Sequence, residues 1–236
     1  GILMNEKIAN YGLENPLGME VGFTLQSYVK NGILASDLMN DAKILTAAAS
    51  DARMSGANLP VMSSNGSGNN GLTAILPIVA YKNKFKTDDE RLAKALAMSH
   101  IINSYVKHYI GRLSALCGCG VAAGTGAGVA ITWLMGGKAK EIEGTIKNII
   151  ADISGMICDG AKIGCALKLS TSASVAIQGA LLSLAGKVAP DDNGIVSDTA
   201  EESIKNLRDV AVIGMEKADS VIIKAMQRKT PKMANF

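Results

Sequence analysis

An all-α fold, a single helical domain around a central buried Gly/Ala-rich helix, is what this sequence predicts, and three observations carry the prediction. Apolar residues recur three and four apart along most of the chain, the period of helices with one buried face. Aromatic residues make up only 4% while Gly, Ala and Met are plentiful, which suits close helix–helix packing better than strands. From Leu113 to Gly137 there is no charged residue, and Gly120, Gly124 and Gly128 form a ladder of small residues along that run.

Taken in order, Gly1–Gly12 reads as a helix already under way, so the chain is expected to be part of something longer. Met19–Lys30 and Ala35–Met54 follow, the second with Leu38, Ile44, Leu45 and Ala48 on one face, and Asn31–Gly32 turns between them. Ala57–Gly71, rich in Ser, Asn and Gly, predicts an extended loop. Gly71–Lys82 predicts a helix, with a kink or late start at Pro77. Asp88, Asp89 and Glu90 place acids at the start of a helix running to about Tyr109. The apolar run predicts a helix over Gly111–Gly137, and Glu141–Ile153 predicts another. Ser170–Gly186 reads as an alanine-rich buried helix capped by Ser170 or Thr171. Ala189–Gly194 is a turn. Asp198-x-x-Glu201 has capping-box form, and Ile204, Leu207, Ala211, Met215, Ala218, Ile222 and Met226 trace the apolar face of a last helix.

Composition narrows the function classes. At 236 residues the chain can bury one proper core, and 48% hydrophobic with 19% charged residues is globular. A net charge of +3, with no basic-aromatic pattern, gives no footprint for nucleic acid. Four cysteines in this length are no disulfide scaffold and read as reduced, cytoplasmic thiols. The opening GILMNEK lacks a signal-peptide layout. The charge-free run is long enough to span a bilayer, but it stands alone and opens on two cysteines, so a core helix and no membrane partner are expected.

The cysteines are the candidate metal ligands. Cys158 and Cys165 lie in SGMICDGAKIGCALK; seven residues of unbroken helix would separate them by about 10.5 Å. Two sulfurs on one zinc lie at most about 4.6 Å apart, so the helix must break, and Gly160 and Gly164 are the residues that allow it. Cys117 and Cys119, if helical, point to nearly opposite sides. That favours three ligands, Cys117, Cys158 and Cys165, with Cys119 a buried hydrophobe or an alternate ligand. Three thiolates leave one position open, a catalytic rather than structural design. The plainer reading is four unconnected buried cysteines, or a scaffold whose cysteines hold zinc. Asp51 and Arg53 read as a pair bracing the loop after them, and His100 and His108 as helix residues.

The segments AASDARMSGANLPVMSSNGSGNNG, RLSALCGCGVAAGTGAG, ISGMICDGAKIGCALKLSTSAS and GIVSDTAEESIKNL resemble, in order and over essentially the whole chain, the bacterial and archaeal L-cysteine desulfidases. These are relatives of the iron–sulfur L-serine dehydratase α chain. The resemblance implies a [4Fe-4S] cluster on Cys117, Cys158 and Cys165, with a free iron for substrate. It also implies β-elimination of L-cysteine, or of L-serine in the relatives, to pyruvate and ammonia. The loop at Asn65, Ser67, Gly68 and Asn69 resembles the family's substrate-anion loop. Ser170 and Thr171, at the expected start of a helix, are a second anion candidate. The family's Gly-Cys-Thr-Glu-Pro motif, whose cysteine takes the α-proton, does not occur in this sequence. No catalytic residue is therefore assigned here: the base is expected from an N-terminal or β domain, in cis or in trans. A homodimer is a further expectation.

Overall fold

Helices follow one another along the computed structural model, which describes residues 1–228, and among these no strand forms. In order they are α1 (Ile2–Glu14), α2 (Val21–Lys30), α3 (Leu38–Met54), α4 (Gly68–Lys84), α5 (Asp89–Ile110) and α6 (Val121–Leu134). Then come α7 (Ala139–Ile153), α8 (Cys165–Leu184), α9 (Ala200–Asp209), a π-helical segment Val210–Gly214, and α10 (Ala218–Gln227). Four of these starts are capped by the side chains that cap best: Asp37, Ser67, Asp88 and Thr199 accept from the backbone N–H of Asn40, Asn70, Arg91 and Glu202.

Helix α6 is the centre. Every residue of it except Trp133 is buried, and α4, α5, α7 and α8 pack around it. Its small residues let the neighbours in: a Cβ on Gly126 would collide with the carbonyl of Ser99 on α5. On the α7 side Ile149 and Ile150 are fully buried beside Val129, Leu116 and Leu207. Burying each isoleucine is worth about 1.5–3 kcal/mol. A second cluster joins α3, α4, α5, α6 and α8 through Ala42, Ile78, Leu92, Ile131 and Ile177, and a third joins α1, α3, α4 and α8 through Ile8, Leu72, Ile75 and Leu169.

Several boundaries differ from the sequence expectation. The central helix begins at Val121, not Gly111, because Gly111 takes φ 89° and residues 111–120 form turns. Helix α4 begins at Gly68, so the end of the expected loop is helical, and it runs through Pro77. Helix α8 begins at Cys165, which places Ser170 and Thr171 inside it rather than at its cap. There Thr171 donates to the carbonyl of Leu167, as hydroxyls in helix interiors do. Thr199 caps α9, not Asp198. The last apolar face is broken at the π segment, and α10 buries none of its residues. By length and composition one helix, Cys165–Leu184, could cross a membrane, but 56% of its apolar window is buried inside the protein.

Candidate metal and anion site

Loop 64–67 is built by its sequence. Asn65 and Gly66 both take positive φ, 50° and 77°, and Ser64 and Ser67 exchange backbone hydrogen bonds of 3.1 and 3.0 Å across them. This is the two-residue turn that Asn-Gly favours. It delivers Ser67 to the start of α4, where its hydroxyl accepts from Asn70 N–H. The next two amides, Gly68 and Asn69, find no acceptor within the described residues. They lie at the positive end of a 17-residue helix, where free amides suit an anion. Arg53 reaches the same place, donating from Nη1 to Asn69 Oδ1 at 3.0 Å, and a Cβ on Gly66 would stand 3.4 Å from the guanidinium of Arg112. No carboxylate pairs with either arginine among the described residues.

Behind the loop runs a buried polar network. Ser64 Oγ lies 2.9 Å from His100 Nδ1 and accepts from Asn103 Nδ2 at 2.8 Å. Asn103 also donates to Asn70 Oδ1, and Asn70 Nδ2 donates to the carbonyl of Gly118 at 3.1 Å. Asn103 is fully buried, and its Oδ1 has no partner among the described residues. Burial lowers the pKa of His100 and so favours its neutral imidazole.

The network ends on the cysteines. Ser67 Oγ and Cys119 Sγ are 3.4 Å apart. Residues 115–117 pair with 156–158: Cys117 N–H donates to Met156 O at 2.8 Å and Cys158 N–H to Ala115 O at 2.7 Å, around the antiparallel bridge Leu116–Ile157. In such a pairing Cys117 and Cys158 are diagonal neighbours on one face, with Cα atoms about 7–8 Å apart. Gly160, at φ 96°, then turns the chain, and Cys165 becomes the first residue of α8. There its sulfur accepts from Lys162 N–H at 3.4 Å, and Cys165 and Cys119 pack against the same apolar cluster. All four thiols are free. They form an open array: among the described residues no three Cys, His, Asp or Glu side chains close on a single metal ion.

Two lysines border the array. Lys168 is held by Asp159 and by the carbonyl of Ile157 at 2.9 Å. Lys107 donates to Arg112 O at 2.6 Å and has no carboxylate partner among the described residues. Burial, reinforced by Cys119, pushes the Cys117 thiol up to about 12. Burial also raises Cys119, against the opposing effects of Ser67 and Lys107.

The geometry thus brings together the loop Asn65–Asn69 and the segments of all four cysteines. Ser170 and Thr171 do not share it as expected: the helix start that motivated them belongs to Cys165–Leu167. Gly164 has ordinary helical φ, −62°, so Gly160 alone makes the left-handed turn. Residues 117–120 are a turn, so the helical argument separating Cys117 from Cys119 has no helix to act on. Asp51 and Arg53 are not a pair: Asp51 accepts from Gly22 N–H at 3.0 Å, away from the loop. Ser64, Asn70, Asn103, Lys107 and Arg112 were not anticipated. For the two on α5 a signal exists, since His100, Asn103, Ser104 and Lys107 at i, i+3, i+4 and i+7 form one polar stripe. A surface concavity of about 430 Å³ beside α1 shares no residue with this site.

Comparison with known proteins bears on the same segments. Residues 1–224 match the family described as serine dehydratase alpha chain. A UPF0597 protein of Alkaliphilus metalliredigens is 64% identical over 228 residues, 97% of this chain and 51% of its own. One from Alkaliphilus oremlandii is 65% identical over 227 residues, covering 96% and 53%, and one from Clostridioides difficile is 58% identical over 226, covering 96% and 53%. The chain spans about half the length of these relatives.

Proposed function

Since this chain belongs to the serine dehydratase alpha chain family, we propose that it is the cluster-bearing half of an iron–sulfur β-elimination lyase that degrades L-cysteine to hydrogen sulfide, ammonia and pyruvate. The observation that carries the reading is the meeting of an anion-binding loop with a four-thiol array, through Ser67–Cys119 and Asn70–Gly118. Free thiols are the donor set of iron–sulfur centres. Cys117, Cys158 and Cys165 would hold a [4Fe-4S] cluster. When bound, it supplies Lewis acidity at an iron without a protein ligand.

The chain's own residues do the rest. The amides of Gly68 and Asn69, with Arg53 behind them, hold the substrate carboxylate, where negative charge builds as the α-proton leaves. Asn65 and Gly66 fix the loop's shape, and Ser67 ties it to the thiols. Asn103, locked between Ser64 and Asn70, braces the loop from behind. The α-proton acceptor comes from a partner domain, and the chain works in the cytoplasm, where thiols stay reduced. The family's description favours L-serine as the second reading.

Anaerobic reconstitution with iron and sulfide tests the cofactor. Turnover of L-cysteine and L-serine, with the chain joined to the remaining half of a close relative, tests the reaction. Hydrogen sulfide from L-cysteine supports the first reading, and pyruvate from L-serine alone supports the second. A colourless chain holding stoichiometric zinc would instead make it a structural domain.

A further inference from the structure

His100 ends a chain of hydrogen bonds whose direction is fixed at the other end by a backbone carbonyl. Gly118 O can only accept, so the Asn70 amide turns its Nδ2 toward it, at 3.1 Å, and its Oδ1 away. That oxygen meets Asn103, which must present its own Nδ2 there. The same Nδ2 gives its second proton to Ser64 Oγ at 2.8 Å. Both amides are thereby assigned, with no freedom to flip.

Ser64 then has one hydroxyl proton and, among the described residues, one group left to take it: His100 Nδ1, 2.9 Å away. Ser64 is 6% exposed, so a proton aimed elsewhere would be buried without an acceptor. Were Nδ1 protonated, two donors would point at Ser64 and its own proton would be stranded. The accounting leaves a neutral imidazole with Nδ1 bare and its proton on Nε2. Burial of His100, which disfavours its charged form, agrees.

The end of this chain bears on the anion loop. Ser64 and Ser67 exchange backbone hydrogen bonds across Asn65–Gly66, and Asn65 is held at φ 50°, a conformation few non-glycine residues adopt. Ser67 in turn caps α4 and sets the amides of Gly68 and Asn69. We propose that His100, with its proton on Nε2, is a positioning residue: as the terminal acceptor it fixes Ser64, and through Ser64 the turn that presents those amides to the substrate carboxylate. The substrate part rests on the carboxylate-binding role proposed above; the tautomer does not.

The first test is nitrogen-15 NMR of the metal-free chain at pH 8, with His108→Gln to tell the two histidines apart. His100 should show Nδ1 bare and Nε2 protonated, and a proton on Nδ1 overturns the proposal. The second uses the chain joined to the remaining half of a close relative. His100→Leu keeps the bulk and removes the acceptor, and should raise KM about tenfold, the worth of one good hydrogen bond, with kcat within about threefold of the parent. His100→Asn, whose Oδ1 stands where Nδ1 does, should return KM to within about twofold. A KM unmoved in His100→Leu overturns the proposal, as does an equal rise in both variants. Should His100→Leu not fold, His100→Gln, whose amide reaches the Nε2 position instead, is read in its place. If the parent turns over neither L-cysteine nor L-serine, the lyase reading goes, and hydrogen exchange of the Ser67 amide decides the role of His100. That amide donates to Ser64 O, so its exchange should quicken about tenfold in His100→Leu and not in His100→Asn. Any other order contradicts the assignment.

Discussion

Asp51 shows how far a residue's role can lie from its motif. It is 1% exposed, it accepts from Gly22, and its Oδ1 has no partner among the described residues. Burial pushes its carboxyl up to about 6 from 3.8. The folded chain therefore binds a proton that the unfolded chain does not between about pH 4 and 6. Stability falls as pH rises through that window, by about 3 kcal/mol in all. Urea midpoints at pH 5 and 7 should show about half of this loss in the parent and none of it in Asp51→Asn; parallel slopes would place the effect elsewhere. Ser67 is the second residue whose role is specific. Ser67→Ala removes the cap of α4, worth about 1 kcal/mol, and with it the link to Cys119. The expected result is a melting temperature lower by about 2–4 °C. In the complete enzyme KM should rise more than kcat falls.

At the scale of elements, the legible parts were those set by local chemistry. The apolar periods placed α2, α3 and α7 within about three residues of their observed starts, and the acidic run Asp88–Glu90 placed the start of α5. Asn65-Gly66 read as loop and is a tight turn. Illegible were the features that tertiary pairing decides. Residues 115–117 are apolar enough for a helix, yet they pair with 156–158, and no local pattern announces a bridge forty residues away. The start of α8 at Cys165 follows from the reversal at Gly160, which the sequence split between two glycines. Gly160→Ala should strain that reversal by about 1 kcal/mol or more and lower iron uptake while leaving helix content intact. Gly126→Ala drives a methyl into the Ser99 carbonyl, so α5 must separate from α6. A loss of about 2 kcal/mol, roughly 4–8 °C, is expected by thermal melt, and an unchanged melt would show the two helices free to part.

At the scale of the molecule, the helices are a frame that sets two kinds of chemistry side by side. One is the amide-bearing start of α4, the proposed anion site; the other is the set of thiols between the 112–120 turn and the start of α8. Each alone is commonplace, and their contact is what argues for a lyase half rather than a scaffold. With the chain spanning about half of its relatives, elimination should need the other half: alone, the reconstituted chain should release no steady hydrogen sulfide from L-cysteine. The most direct test is the iron and acid-labile sulfide bound per chain after anaerobic reconstitution, in the parent and in single alanine variants of the four cysteines. The account predicts about four of each in the parent, retained in Cys119→Ala and lost in Cys117→Ala, Cys158→Ala and Cys165→Ala. Retention of the cluster without Cys158, or its loss without Cys119 alone, would contradict it.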